Sequence, residues 1–333
     1  MIVTVADGAD AAQVQRALIA KGLWVKPLRT EGTAPRQFVV EPFSARVERA
    51  EVLAIAGVAG VSVTASEHPL VDAQPPVVEV AGARIGVGAE PVFMAGPCSV
   101  ESLEQIERIA AMASTLGVRF LRGGAFKPRT SPYAFQGAGV EALGWLRRAA
   151  DRHGMKVITE LMAAEDAAAV VEHADVVQIG SRNMANYALL RTAARGRRPI
   201  LLKRGMAATV EEWLAAGEYC LLHGAASVLF CERGVRGFDS ATRNLLDLGA
   251  VALLSQVHRL PVLVDPSHAV GRRDLIPALS RAALAAGAAG LLIEIHDQPG
   301  QALSDGPQAL LPEQLRALLQ ALRAGSALAQ RAA

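Results

Sequence analysis

Three short runs, Lys156-Val-Ile-Thr-Glu160, Val176-Val-Gln-Ile-Gly180 and Ile200-Leu-Leu-Lys203, decide the fold of this chain. Each is almost continuously apolar and β-branched, then ends on Gly or a charged residue, and Ala-rich helical spacing fills the gaps between them. A strand without polar alternation is buried on both faces, which is the habit of parallel sheets covered by helices. The same alternation extends outward to Val92–Ala95 and Arg119–Arg122 on one side. On the other side it reaches Ser227–Glu232, Pro261–Asp265 and Leu291–Ile295. Helical spacing at Leu103–Leu116, Val140–His153, Ala164–Glu172, Val210–His223, Ala241–Gln256 and Leu275–Ala286 supplies crossovers. Eight such strands over residues 91–333 predict a (β/α)8 barrel of the TIM type in an α/β chain. An open doubly wound sheet is the alternative, but no Gly-x-Gly-x-x-Gly follows the first strand.

Upstream the pattern changes. Strand signals at Ile2–Val5, Leu23–Leu28, Gln37–Val40 and Gly60–Thr64 enclose helical signals at Ala11–Lys21 and Arg46–Ile55. This βαββαβ order predicts a ferredoxin-like domain over residues 1–66. RNA-binding modules of that plan stack bases on strand aromatics, and here the third strand offers only Phe38. Residues 67–90 read as a linker, Ser66–Pro76, followed by a short hairpin with Ala81-Gly82 at its turn.

Bulk composition bounds the function. Of 333 residues 51% are hydrophobic and the net charge is only +2, so a large core is available and no nucleic-acid or membrane-surface role is indicated. No stretch is long and apolar enough to span a bilayer, and the first residues lack a signal-peptide pattern. Three cysteines make no disulfide framework, so a soluble cytoplasmic protein is expected.

Reactive side chains fall at the strand ends. Cys98 follows the first barrel strand, Arg122 and Lys127 the second, Glu160 the third, Arg182 the fourth and Lys203 the fifth. Glu232 and Arg233 end the sixth, Asp265 and His268 the seventh, and Glu294 the eighth. Parallel barrel strands all end on one rim, where catalytic groups gather. The run Leu121-Arg-Gly-Gly-Ala-Phe-Lys-Pro-Arg-Thr-Ser-Pro-Tyr133 adds Arg129, Thr130 and Ser131 to that rim. Arg forks, a Lys charge and hydroxyls together form an anion cradle. With Arg236, seven cations repel one another unless anionic substrates neutralise them. Cys98, His268, Glu294 and Asp305 offer thiolate, imidazole and carboxylates for a divalent transition metal. Cys220 and Cys231 fall inside helix and strand patterns and read as core; His153, His173, His223 and His258 read as structural, and His296 is undecided.

These motifs resemble the 3-deoxy-D-arabino-heptulosonate 7-phosphate (DAHP) synthase family, in the form with an N-terminal ferredoxin-like domain. The resemblance rests on Ala95-Gly-Pro-Cys-Ser-Val-Glu101, the 121–133 run, Gln178-Ile-Gly-Ser-Arg-Asn-Met184 and Leu202-Lys-Arg-Gly-Met206. It continues through Cys231-Glu-Arg-Gly-Val-Arg236, Thr242-Arg-Asn-Leu-Leu-Asp247, Val264-Asp-Pro-Ser-His268 and Leu303-Ser-Asp-Gly306. Together they span the barrel in order, whereas the first domain matches by size and pattern only.

The resemblance implies condensation of phosphoenolpyruvate with erythrose 4-phosphate at the entry to the shikimate pathway. It implies a divalent metal (Mn2+ or similar) on Cys98, His268, Glu294 and Asp305. Arg122, Lys127, Arg182, Lys203 and Arg233 would surround phosphoenolpyruvate, joined on the rim by Glu160 and Asp265. Arg129, Thr130 and Ser131 would take the aldose phosphate, and Lys127 would protonate the developing alkoxide. It also implies a homotetramer and feedback by tyrosine or phenylalanine through the first domain. Val270 and Ser181 depart from the family's usual residues. The nearest rival, 3-deoxy-D-manno-octulosonate 8-phosphate synthase, carries Lys-Ala-Asn-Arg-Ser where this chain has Lys127-Pro-Arg-Thr-Ser131. A non-catalytic metabolite sensor is the reading from another class, and the full set of ligands and cations argues against it.

Overall fold

The structure is a computed structural model that describes residues 1–28, 35–127, 131 and 133–332. Residues 1–67 and 68–333 form two compact units.

In the first unit the strands β1 (Ile2–Val5), β2 (Val25–Leu28), β3 (Gln37–Val40) and β4 (Val58–Ser62) pair antiparallel in the order β2-β3-β1-β4. That order is the ferredoxin-like arrangement, with helices Ala11–Ala20 and Arg49–Leu53 as the crossovers. The first helix begins where Asp10 accepts the N–H of Ala12 at 2.9 Å, satisfying one orphan donor of its first turn. Val3, Val14, Leu18, Phe38 and Val52 are fully or almost fully buried. Phe38 therefore fills the core and presents no ring for stacking a base. The second helix is shorter than its sequence pattern, and β4 begins two residues earlier, where Val58 pairs with Val5 beside a register shift.

In the second unit the stretch expected to be a linker holds a helix, Pro69–Asp72, packed on the helix Val210–Leu222. Its Val71 is fully buried, and Gly217 leaves the room: a Cβ there would lie 3.3 Å from Val71 Cγ2 and 2.7 Å from Phe230. Strands β5 (Val77–Val80) and β6 (Ala83–Gly86) form the hairpin. The barrel closes through β7 (Val92–Gly96), β8 (Phe120–Arg122), β9 (Lys156–Glu160), β10 (Val176–Ile179), β11 (Ile200–Lys203), β12 (Val228–Glu232), β13 (Val262–Val264) and β14 (Gly290–Glu294), every pair parallel. Val78, Val80 and Ile85 of the hairpin pack with Met94, Phe120, Ile158, Leu201, Leu229 and Leu292 from the barrel lumen. The hairpin thus plugs the N-terminal mouth, and chemistry is left to the C-terminal one.

One expected helix is largely absent. Ala241–Asp247 runs as loop, and only Leu248–Ala252 is α-helical, followed by a π turn over Leu253–Val257. Asp247 stops the pattern: it caps Ala250 N at 2.9 Å and pairs with Arg204 at 2.8 Å, so the residues before it are released towards the rim. Helices Tyr187–Arg195 and Pro312–Ala332 complete the outer layer.

Candidate active site and metal centre

Asp265 ends β13 and organises the centre. It caps the short helix Pro266–Val270, accepting His268 N at 2.9 Å, so His268 returns over the barrel axis. Asp265 Oδ2 then lies 2.8 Å from His268 Nδ1 and 2.5 Å from Lys203 Nζ. A carboxylate behind Nδ1 fixes the imidazole and leaves Nε2 facing forward, as metal-binding histidines require. Burial pushes Asp265 up, but the His268 and Lys203 charges outweigh it and hold the carboxyl well below its usual range. One carboxylate therefore joins the candidate metal ligand to a substrate-side lysine.

In front of His268 Nε2 stand Glu294 Oε2 at 3.4 Å and Cys98 Sγ at 3.8 Å, and Cys98 Sγ is 3.0 Å from Asp305 Oδ2. Donor atoms of these four residues all lie within 4.8 Å of one another. Asp305 adopts a left-handed backbone (φ 52°), uncommon outside glycine though tolerated by aspartate, and this turns its carboxylate inward. Burial, then the charge of Glu294, raises the Cys98 thiol; burial above all pushes Glu294 up to about 7. Three acidic groups crowded together, two of them buried, call for positive charge beside them. A sulfur, nitrogen and two-carboxylate set suits a divalent transition metal, so the residues fit such an ion.

Lys127 donates to Cys98 Sγ and to Cys98 O, both at 2.9 Å, from the loop after β8. Arg122, 5% exposed, donates to Pro97 O at 2.9 Å. Glu160 accepts from Gln178 at 3.0 Å. With Arg182, Lys203, Arg233, His268, Cys98 and Asp305, these side chains line one open cavity. Glu294 lies behind Cys98 and His268, 2% exposed, and is reached through them. Arg233 Nη1 and Ser181 Oγ are buried without a hydrogen-bond partner among the described residues, so both are available to an anion.

The sequence-read residues divide accordingly. Cys98, Arg122, Lys127, Glu160, Arg182, Lys203, Arg233, His268 and Asp305 converge, with Asp265 and Glu294 directly behind. Ser131 is exposed and outside this lining, as is Arg236, while Arg129 and Thr130 fall outside the described residues. His296 turns away: its Nδ1 accepts Gln298 N and its Nε2 lies 3.0 Å from the Gln105 amide. Cys220 and Cys231 are fully buried, and burial pushes both thiols up to about 12. Val270, one departure from the family pattern, places its side chain in the core and its carbonyl on Arg243 N at 3.0 Å.

Sequence reasoning missed Gln178, Arg243 and Gln308. Gln308 donates to Glu294 Oε2 at 2.6 Å, and Arg243 reaches Gln308 Oε1 at 3.1 Å and Asp305 Oδ1 at 3.4 Å. The motifs Thr242-Arg-Asn and Gln178-Ile-Gly contain two of the three, a sequence signal that by itself assigns them no role.

Comparison with known proteins places this geometry. A phospho-2-dehydro-3-deoxyheptonate aldolase of Thermotoga maritima is 49% identical over 247 residues, covering 74% of this chain and 73% of that protein. A 2-dehydro-3-deoxyphosphooctonate aldolase of Alkalilimnicola ehrlichii is 31% identical over 264 residues, covering 74% and 94%. The crystal structure of the Thermotoga maritima DAHP synthase superposes with a TM-score of 0.77 at 38% identity, over 98% of this chain and 97% of that one. The family model described as the DAHP synthetase I family matches residues 64–330, and the chain belongs to that family.

Proposed function

We infer that this chain condenses phosphoenolpyruvate with erythrose 4-phosphate to give DAHP and inorganic phosphate, the first step towards aromatic amino acids. The observation that carries the reading is that a candidate metal-ligand group, Cys98, His268, Glu294 and Asp305, adjoins one cavity lined by Arg122, Lys127, Arg182, Lys203 and Arg233. Phosphate and carboxylate groups of one enol phosphate satisfy such a set of donors, including the unpartnered Arg233 Nη1.

Cys98, His268, Glu294 and Asp305 would hold a divalent ion, Mn2+ or similar, which when bound supplies Lewis-acid polarisation of the aldehyde oxygen. The cationic side chains fix the enol so that its C3 faces the aldehyde carbon. As that C–C bond forms, Lys127 gives the developing alkoxide a proton. Water adds at C2, and loss of phosphate from the adduct leaves the ketone. The run Lys127-Pro-Arg-Thr-Ser131 takes the aldose phosphate in this reading and selects the four-carbon acceptor. The first unit serves as a regulatory module for tyrosine or phenylalanine, and the enzyme works as a cytoplasmic homotetramer.

The test is phosphoenolpyruvate consumption by the metal-loaded protein with erythrose 4-phosphate or arabinose 5-phosphate. The four-carbon aldose should be used at least roughly tenfold better, a discrimination of about 1.4 kcal/mol. Preference for the five-carbon aldose transfers the chain to the octulosonate reaction, and no turnover with either withdraws the enzymatic reading.

A further inference from the structure

We propose that Arg243 and Gln308 are positioning residues of the metal centre, a pair that fixes the carboxylates of Glu294 and Asp305 in their ligating geometry. The proposal rests on the metal reading given above and adds to it two residues outside the ligand set.

A guanidinium has donors only, so the Gln308 atom 3.1 Å from Arg243 Nη1 is the amide oxygen. That choice directs Gln308 Nε2 at Glu294 Oε2, 2.6 Å away. Flipped, the amide would set its NH2 against the guanidinium and its oxygen against the carboxylate, losing both bonds. Arg243 therefore decides which way Gln308 points, and Gln308 holds Glu294. Nη1 of the same arginine lies 3.4 Å from Asp305 Oδ1, so one side chain acts on two ligands, directly on one and through an amide on the other.

Both residues are built in place. Gln308 is 3% exposed, so water has no access to replace its bond. Its N–H donates to Asp305 O at 3.1 Å, which ties it to the turn that presents the aspartate. Arg243 N donates to Val270 O at 3.0 Å, at the last residue of the helix that carries His268. Gly271 (φ 66°) permits the approach, since a Cβ there would meet Arg243 Cβ at 3.0 Å. Partners behind metal ligands are worth roughly 10–100-fold in metal affinity when removed.

The experiment is Co2+ titration of chelator-stripped protein, followed by the thiolate-to-cobalt absorption band of Cys98. Gln308→Met and Arg243→Met should each raise the Kd for Co2+ roughly 10–100-fold and alter the band. Because Arg243 acts partly through Gln308, the double variant should lose less than the product of the two. Arg243→Lys keeps a donor and should lose less than Arg243→Met. Arg243 is half-exposed at its side chain, so its variants fold even if Gln308→Met does not. A wild-type Kd and band in folded Gln308→Met or Arg243→Met overturns the proposal, as does strict additivity. Absence of the band in the wild-type protein overturns the metal reading itself, and this proposal with it.

Discussion

Glu294 and His268 stand 3.4 Å apart, and burial moves their titrations in opposite directions. Burial raises Glu294 from 4.5 to about 7, with Asp305 adding to the rise against Arg122. It lowers His268 from 6.5 to about 3, helped by Lys203 against the pull of Asp265. In metal-free protein between pH 4.5 and 7 the folded chain holds a proton on Glu294 that the unfolded chain has lost, so this group makes stability fall as pH rises. Between pH 3 and 6.5 the folded chain lacks a proton on His268 that the unfolded chain carries, so this group makes stability rise. The two effects oppose over their shared window. Glu294→Gln removes the first, so the variant should gain stability relative to wild type as pH rises from 4.5 to 7.5. Urea unfolding of both proteins in chelator checks this, and parallel pH profiles would sink it. The candidate metal ligands were legible because three of them sit beside the ends of apolar strands. Arg243 and Gln308 were not, because their relevance depends on a turn and an amide orientation that no spacing encodes.

Among the elements, the hairpin β5–β6 and the loop before Leu248 show where periodicity succeeds and where it stops. The hairpin was readable from alternation about a turn at Ala81-Gly82, and its register pairs Val80 with Ala83. Its purpose was not readable, since closing a barrel mouth is a tertiary event. Ile85 is fully buried there with lumen side chains of four or more strands. Ile85→Ala should cost about 2–4 kcal/mol through the cavity it leaves, because a closed lumen cannot collapse around it. Denaturant midpoints measure the loss, and a change below about 1 kcal/mol would show that the plug is loosely packed. By contrast, apolar spacing over Ala241–Gln256 satisfied a helical template, yet half of it is loop. Asp247 carries the reason: a side chain engaged with Arg204 at 2.8 Å and with Ala250 N begins the helix there. A part-buried ion pair overrides local propensity, and no window average contains that information.

For the whole molecule, the boundary between the units decides how a regulatory role for the first one is tested. Sequence punctuation favours a cut near Val77, after Pro75 and Pro76, but the second unit begins earlier, at His68. Residues 68–76 belong to the barrel. Val71 is fully buried, Glu218 accepts Leu70 N and Val71 N at 3.0 and 2.9 Å, and Gln74 makes two hydrogen bonds to the Val228 backbone. Burying one valine contributes about 1.5–3 kcal/mol and each hydrogen bond about 1. A chain starting at Val77 lacks these contacts and should be less stable than one starting at His68, with a lower Tm. Both should turn over phosphoenolpyruvate, and both should ignore tyrosine and phenylalanine if the first unit is the effector module. Differential scanning calorimetry and steady-state assays with each amino acid separate the two statements. Equal Tm values would remove residues 68–76 from the barrel's stability, whereas retained inhibition in either chain would move the effector site out of the first unit.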